Sequence, residues 1–210
     1  MTGPGGSFPR RSAVTRRFTL GRPRSFAIAA DGSRVAFLRS PAGDDPVNGL
    51  WVFDVADRRE RLVVDPHALG SKDERLSAAE RARRERTREQ AGGIVSYAPD
   101  HDLRRAVFVH GGGLWVVDLA DGTAAALPAA EGAFDPRLDP AGARVAYLSG
   151  RALRVTGPDG DDRALAEEDD PDVSWGSADF VAAEEMDRAG RPRSWPIRRR
   201  ARRTPRWRWP

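Results

Sequence analysis

The sequence predicts an all-β fold, a partial β-propeller of three to four blades of about 40 residues each, on the strength of a repeat, the strand pattern within it and the turns that punctuate it. Asp31-Gly-Ser-Arg-Val-Ala-Phe37, Asp102-Leu-Arg-Arg-Ala-Val-Phe108 and Ala141-Gly-Ala-Arg-Val-Ala-Tyr147 align without gaps, each a tight turn running into a β-strand. Each is followed by a second β-rich segment: Leu50-Trp-Val-Phe-Asp54, Leu114-Trp-Val-Val-Asp118 and Leu153-Arg-Val-Thr156. Phe108 to Tyr147 spans 39 residues and Leu114 to Leu153 also spans 39, so two independent markers give one period. Several short strands per unit at that period describe a blade that buries its faces against its neighbours.

The elements follow in order. Residues 1–24, rich in glycine, proline and arginine, are expected to be a flexible N-terminus, with the incomplete propeller over 25–188. The first interval, Phe37 to Phe108, is 71 residues, so 32 are extra; seven belong to the loop between Arg39 and Gly49 and 25 fall between Asp54 and Leu114. Ser77 and Glu80 form a capping box ahead of a run of helix formers, which predicts one inserted helix near 76–90. Trp51 and Trp115 recur at equivalent places and read as core. A fourth unit opens at Val173-Ser-Trp-Gly176 and then departs from the pattern. Glu184 and Glu185 stand where the third unit has Val145 and Ala146, and an ionised side chain in a blade core costs several kcal/mol unless paired. The segment is therefore expected to leave the sheet. Residues 189–210 form an irregular Arg/Pro/Trp tail with no strand alternation, expected to be disordered and to be an out-of-frame translation of GC-rich DNA.

Composition narrows the chemistry. The chain of 210 residues has no cysteine, so neither disulfides nor thiolate metal sites arise, and zinc fingers are excluded. No stretch suits a signal peptide or a bilayer span, so a cytoplasmic protein without membrane contact is the expectation. Segment 191–210 holds nine arginines and no acid; it supplies +9 to a net charge of +4, leaving the other 190 residues at −5. A nucleic-acid-binding body is not indicated, and any such role rests on the tail, whose arginines interleave with Trp195, Trp207 and Trp209. The acidic run 167–172 lacks the ligand spacing and central glycine of a calcium loop and reads as solvated. His67, His101 and His110 share no metal-binding spacing, and no metal or cofactor is expected.

Trp175-Gly-x-x-x-Phe180-Val-Ala-x-Glu-Glu-Met186 resembles the double-glutamate motif of the dipeptidyl peptidase IV branch of the prolyl oligopeptidase family of serine peptidases. Arg84-Glu-Arg86 followed by Gly93-Ile-Val-Ser-Tyr97 is similar to the arginine-bearing helix and next strand of its cytosolic members. The resemblance covers residues 20–188. It implies that Glu184 and Glu185 bind the free α-amino group of a peptide and that Arg84 or Arg86 holds a peptide carbonyl. Physical chemistry agrees on the first role, because a desolvated ammonium needs compensating charge and acceptor oxygens, and adjacent carboxylates supply both. Such a clamp also measures distance: an amine fixed relative to a nucleophile makes the parent enzyme release N-terminal dipeptides.

The catalytic half is not among these residues. The family's α/β-hydrolase domain carries Gly-x-Ser-x-Gly followed by Asp and His, and no Gly-x-Ser-x-Gly occurs in the 210 residues. The expected function is thus that of a truncated substrate-gating and N-terminus-recognising propeller, a fragment of a hydrolase, inactive in proteolysis without its missing catalytic domain. Its expected partners are that domain and, in the intact parent, a peptide with a free N-terminus. The alternative is a non-enzymatic propeller module that binds peptides or proteins. An unclosed ring exposes apolar faces, so the chain is also expected to be marginally stable or to aggregate unless another polypeptide completes it.

Overall fold

The computed structural model describes residues 7–70, 81, 84–85, 91–170 and 173–176. Among the described residues three antiparallel sheets follow one another, each built on four consecutive strands in sequence order. The first contains β1 (Arg24–Ile28), β2 (Arg34–Arg39), β3 (Val47–Asp54) and β4 (Arg59–Val64). A two-residue strand, β5 (Gly92–Gly93), pairs parallel with Val47 and Asn48 of β3. The second contains β6 (Tyr97–Pro99), β7 (Arg105–His110), β8 (Gly113–Asp118) and β9 (Ala124–Leu127). The third contains β10 (Phe134–Leu138), β11 (Val145–Ser149), β12 (Ala152–Thr156) and β13 (Arg163–Ala166). This is the partial propeller that the repeat predicts, with three full blades.

The turn into each second strand is built the same way. The amides of Ala29, Asp100 and Asp139 donate to the carbonyls of Arg34, Arg105 and Arg144 at 2.9–3.0 Å. Side-chain carboxylates hold the turn closed: Asp31 accepts from the Ser33 amide at 2.9 Å, Asp100 from that of Arg104 at 2.8 Å and Asp139 from that of Ala143 at 2.7 Å. Aspartate suits these places because its short carboxylate mimics a turn hydrogen bond.

Alternation then fixes the two faces of each sheet. Phe37 lies opposite Trp51, Phe108 opposite Trp115 and Tyr147 opposite Arg154, so these pairs share one side, the back face. Leu38 opposite Leu50, Val109 opposite Leu114 and Leu148 opposite Leu153 lie on the other, the front face. At the first boundary Leu38, Leu50, Val52, Val63 and Val64 from the front of sheet one pack with Ala106, Phe108, Val117 and Leu119 from the back of sheet two. At the second, Ala98, Val107, Leu114 and Leu127 pack with Val145 and Tyr147. Each boundary therefore joins one front to one back.

Polar contacts tie the same boundaries. The Arg61 guanidinium donates to the Leu119 carbonyl across the first, and Arg105 Nη1 to the Gly142 carbonyl at 3.1 Å across the second. Behind Tyr147, its hydroxyl donates to Asp162 at 2.5 Å and accepts from the Ala130 amide at 2.8 Å, while Arg154 pairs with Asp162 at 2.8 Å.

The long insertion begins with a 3₁₀ turn, Pro66–Leu69, whose Asp65 side chain accepts from the His67 amide at 2.9 Å. It returns at β5, where the Gly93 backbone is left-handed (φ 71°) and a Cβ would meet the Asn48 carbonyl oxygen at 2.6 Å, so only glycine fits. Residues 81, 84 and 85 are helical; the rest of the helix predicted near 76–90 lies outside the described residues. Near the N-terminus a short helix, α1 (Phe8–Val14), carries Phe8, whose ring packs 5.9 Å from that of Phe18.

Candidate functional site

The first strand of each sheet begins, and the fourth ends, at one rim of the arc, because the strands alternate in direction within every sheet. The insertion 65–96 and the segment 167–176 both leave by that rim. Arg84 sits in the insertion, helical and half-buried. Val173 is buried, and the Trp175 amide donates to the Arg151 carbonyl in the β11–β12 turn at 2.9 Å. Arg151 Nη1 in turn donates to the Asp170 carbonyl at 2.9 Å. The chain leading into the glutamate motif is thus moored to sheet three through its backbone. Glu184, Glu185 and Arg86 lie outside the described residues, and so does the tail.

Polar groups collect at this rim on the first strands. In β1 three steps, Arg24 to Ala27, face two in β2, and in β10 three steps, Phe134 to Arg137, face two in β11. The residue after the first pair is left-handed in both bulges, Ser25 at φ 55° and Asp135 at φ 48°. A bulge of this kind turns a carbonyl out of the ladder, and the freed Ser25 carbonyl accepts from the Tyr97 hydroxyl at 2.7 Å. Burial pushes the Tyr97 phenol well above its ordinary range, so it remains a donor at any physiological pH. Asp135 pairs with Arg137 at 2.6 Å. Ser40 is buried and its hydroxyl accepts from the Gly21 amide at 2.9 Å. The rim thus carries polar side chains and a redirected peptide group that are partnered within the chain. Among the described residues no three His, Asp or Glu side chains converge as metal ligands, and no helix is long and apolar enough to cross a membrane.

A second feature, which no motif announces, lies on the back of sheet one. The Arg39 guanidinium lies 4.1 Å from the Trp51 ring centroid and 5.5 Å from that of Phe37, and pairs with Glu60 at 2.7 Å. Beside it Pro23, Phe26, Val35, Phe37, Phe53 and Glu60 line an open recess of about 250 Å³. Trp51 and Trp115 are both half-buried, but Trp51 is not packed against the core of the first boundary as Trp115 is. Both indoles donate to main-chain carbonyls, Trp51 to Arg39 at 2.9 Å and Trp115 to His110 at 3.2 Å, but only Trp115 faces a neighbouring sheet. The signal was present in the alignment, where Arg39 stands opposite His110 and Ser149 in the other units.

No family model matches the sequence. Among solved structures the chain is similar to one from a study of two prolyl endopeptidases, with 18% identity and a TM-score of 0.49 over 78% of this chain and 25% of that one. It is also similar to the tricorn protease, with 15% identity and a TM-score of 0.45 over 70% of this chain and 13% of that one. The chain spans about a quarter of the length of the first and about an eighth of the second.

Proposed function

We propose that this chain is the substrate-gating, N-terminus-recognising propeller portion of a dipeptidyl-peptidase-IV-like serine exopeptidase. Glu184 and Glu185 bind the α-amino group of the peptide, and Arg84 or Arg86 binds a peptide carbonyl. The observation that carries the reading is the shared rim: the insertion holding Arg84 and the segment running into the glutamate motif leave the sheets on the same side. That arrangement supports a site in which acid and guanidinium meet one substrate end. Hydrolysis requires a nucleophile elbow, which these 210 residues do not contain, so binding rather than turnover is the property of the chain itself.

The test is fluorescence anisotropy with a labelled oligopeptide bearing a free N-terminus, set against its N-acetylated twin. The free amine should bind at least about 10-fold tighter, and the double change E184Q with E185Q should abolish the difference, since it removes both charge-assisted acceptors. Replacing Arg84 or Arg86 by alanine should weaken both peptides alike. Equal binding of the two peptides to the unaltered chain would refute the amine clamp.

A further inference from the structure

Residues 7–24 hold six arginines and no acid. Taking that +6 from the −5 of residues 1–190 leaves −11 on residues 25–190, so a basic segment precedes an acidic body. The segment is rooted at the rim where β1 begins, through the Gly21 amide, which donates to the buried Ser40 hydroxyl at 2.9 Å. Beyond that root little of it is covered. No residue of α1 is buried, Phe8 is 73% exposed, Val14 51% and Phe18 46%, and Arg10, Arg11, Arg17 and Arg22 are exposed as well.

A seven-residue helix is too short to hold its shape alone in water, yet this one belongs to a built unit. Arg16, Arg17 and Phe18 are left-handed, at φ 48°, 60° and 61°. L-residues take that conformation singly and at a cost, and a run of three persists only when other contacts over-determine it. Here the Arg17 amide donates to the Ser12 carbonyl at 2.6 Å, the Phe18 amide to the Thr15 hydroxyl at 3.0 Å and the Thr19 amide to the Thr15 carbonyl at 3.0 Å. The turn folds the chain back, so that the Phe18 ring meets that of Phe8 at 5.9 Å. Backbone strain is thus maintained to set an exposed apolar pair among arginines.

We infer that residues 7–24 dock the protein on the surface of an anionic phospholipid bilayer. Phe8, Val14 and Phe18 enter the boundary between headgroups and acyl chains, and the guanidinium groups pair with lipid phosphates and carboxylates. The rings favour lipid over single-stranded nucleic acid because, packed on each other, they leave no gap for a base to stack between them. The acidic body is repelled by the same surface, so contact is confined to this segment and is reversible. Each arginine held near an anionic surface adds on the order of fivefold to the affinity, which places half-binding at accessible lipid on the order of 0.1–1 mM.

Cosedimentation of the full chain with phosphatidylcholine vesicles containing about 30% phosphatidylserine should show binding in that range, and phosphatidylcholine alone should show none. Raising the salt from about 0.1 to about 0.5 M should weaken binding at least about 10-fold. R10Q, R11Q, R17Q and R22Q together should weaken it at least about 100-fold, and Phe8→Ala with Phe18→Ala about 10-fold. The β-sheet signal in circular dichroism should stay unchanged, since these residues lie outside the sheets. Residues 191–210 are more basic still; if they carried the binding, the four-arginine variant would bind as the unaltered chain does, and the inference would fail. The lack of native cysteine allows a second readout, an environment-sensitive dye on Phe8→Cys or, at the opposite rim, on Arg104→Cys. Vesicles should shift the first dye to the blue and leave the second unchanged. Equal shifts of the two dyes, or tighter binding to a single-stranded oligonucleotide than to vesicles through the same four arginines, would overturn the assignment.

Discussion

Leu103 stands where the sister turns carry Gly32 and Gly142, and all three backbones are left-handed, at φ 53°, 71° and 68°. A leucine there costs about 1–2 kcal/mol of backbone strain, and it persists because its side chain is 1% exposed in the core of the first boundary. The two terms separate by mutation. Leu103→Ala keeps the strain and loses the burial, so it should cost about 2–5 kcal/mol, whereas Leu103→Gly relieves the strain and should be less damaging by about 1 kcal/mol. Urea unfolding of the pair checks this; glycine as the worse residue would contradict it. Tyr147 offers a second case. Burial and the hydrogen bond to Asp162 raise its phenol above the ordinary range, so it stays protonated and donating. Burial alone would raise the Asp162 carboxyl, but the hydrogen bonds from Arg154 and Tyr147 prevail and hold it below 3.8. A group with a lowered folded-state pKa stabilises the fold above its unfolded value and loses that contribution as pH falls through the folded one. Tyr147→Phe should therefore cost about 1–2 kcal/mol at neutral pH, and the unaltered chain should lose stability below about pH 4 more steeply than Asp162→Asn, as thermal melts from pH 5 to pH 2.5 would show.

At the scale of elements, close approach rather than propensity decides two positions. Gly122, in the β8–β9 turn, has φ 82°, and a Cβ there would meet the Val63 carbonyl oxygen of sheet one at 2.8 Å. Gly122→Ala should destabilise by more than the ~1 kcal/mol of the left-handed backbone alone, because sheet two must move off sheet one; denaturant titration against a Gly150→Ala control, where φ is 57° and space is open, separates the two effects. The sequence showed the second and third strands of each unit plainly, because Phe37/Trp51 and Phe108/Trp115 repeat as aromatic pairs with turn residues ahead of them. It did not show β1 and β10, whose bulges at Ser25 and Asp135 break the alternation, nor β5, where two glycines carry no side-chain pattern at all. Of the candidate site, the rim that holds Arg84 was implicit in the position of the insertion. Tyr97 with the Ser25 carbonyl was not, since that bond joins residues 72 apart through a backbone irregularity. Nor was the open back face, because a repeat written in sequence does not say which unit lacks a neighbour.

For the whole molecule, the alternation of front and back explains why so many side chains are needed in pairs of sheets and so few within one. Val55, exposed on sheet one, and Leu119, fully buried on sheet two, hold equivalent places, so exposure there is set by the arc and not by the strand. The two internal boundaries are unequal. The first gathers Leu38, Leu50, Val52, Val63, Val64 and Ile94 against Phe108, Leu119 and Leu103, whereas the second relies on smaller residues such as Ala98, Val107 and Ala133 around Tyr147. In an arrangement where each unit touches only its neighbours, opening starts at the weaker junction and travels outward from it. Amide hydrogen exchange should accordingly release β11 and β12 as one cooperative group while β2, β3, β7 and β8 remain protected, so that the third sheet detaches and reattaches many times for each unfolding of the first two.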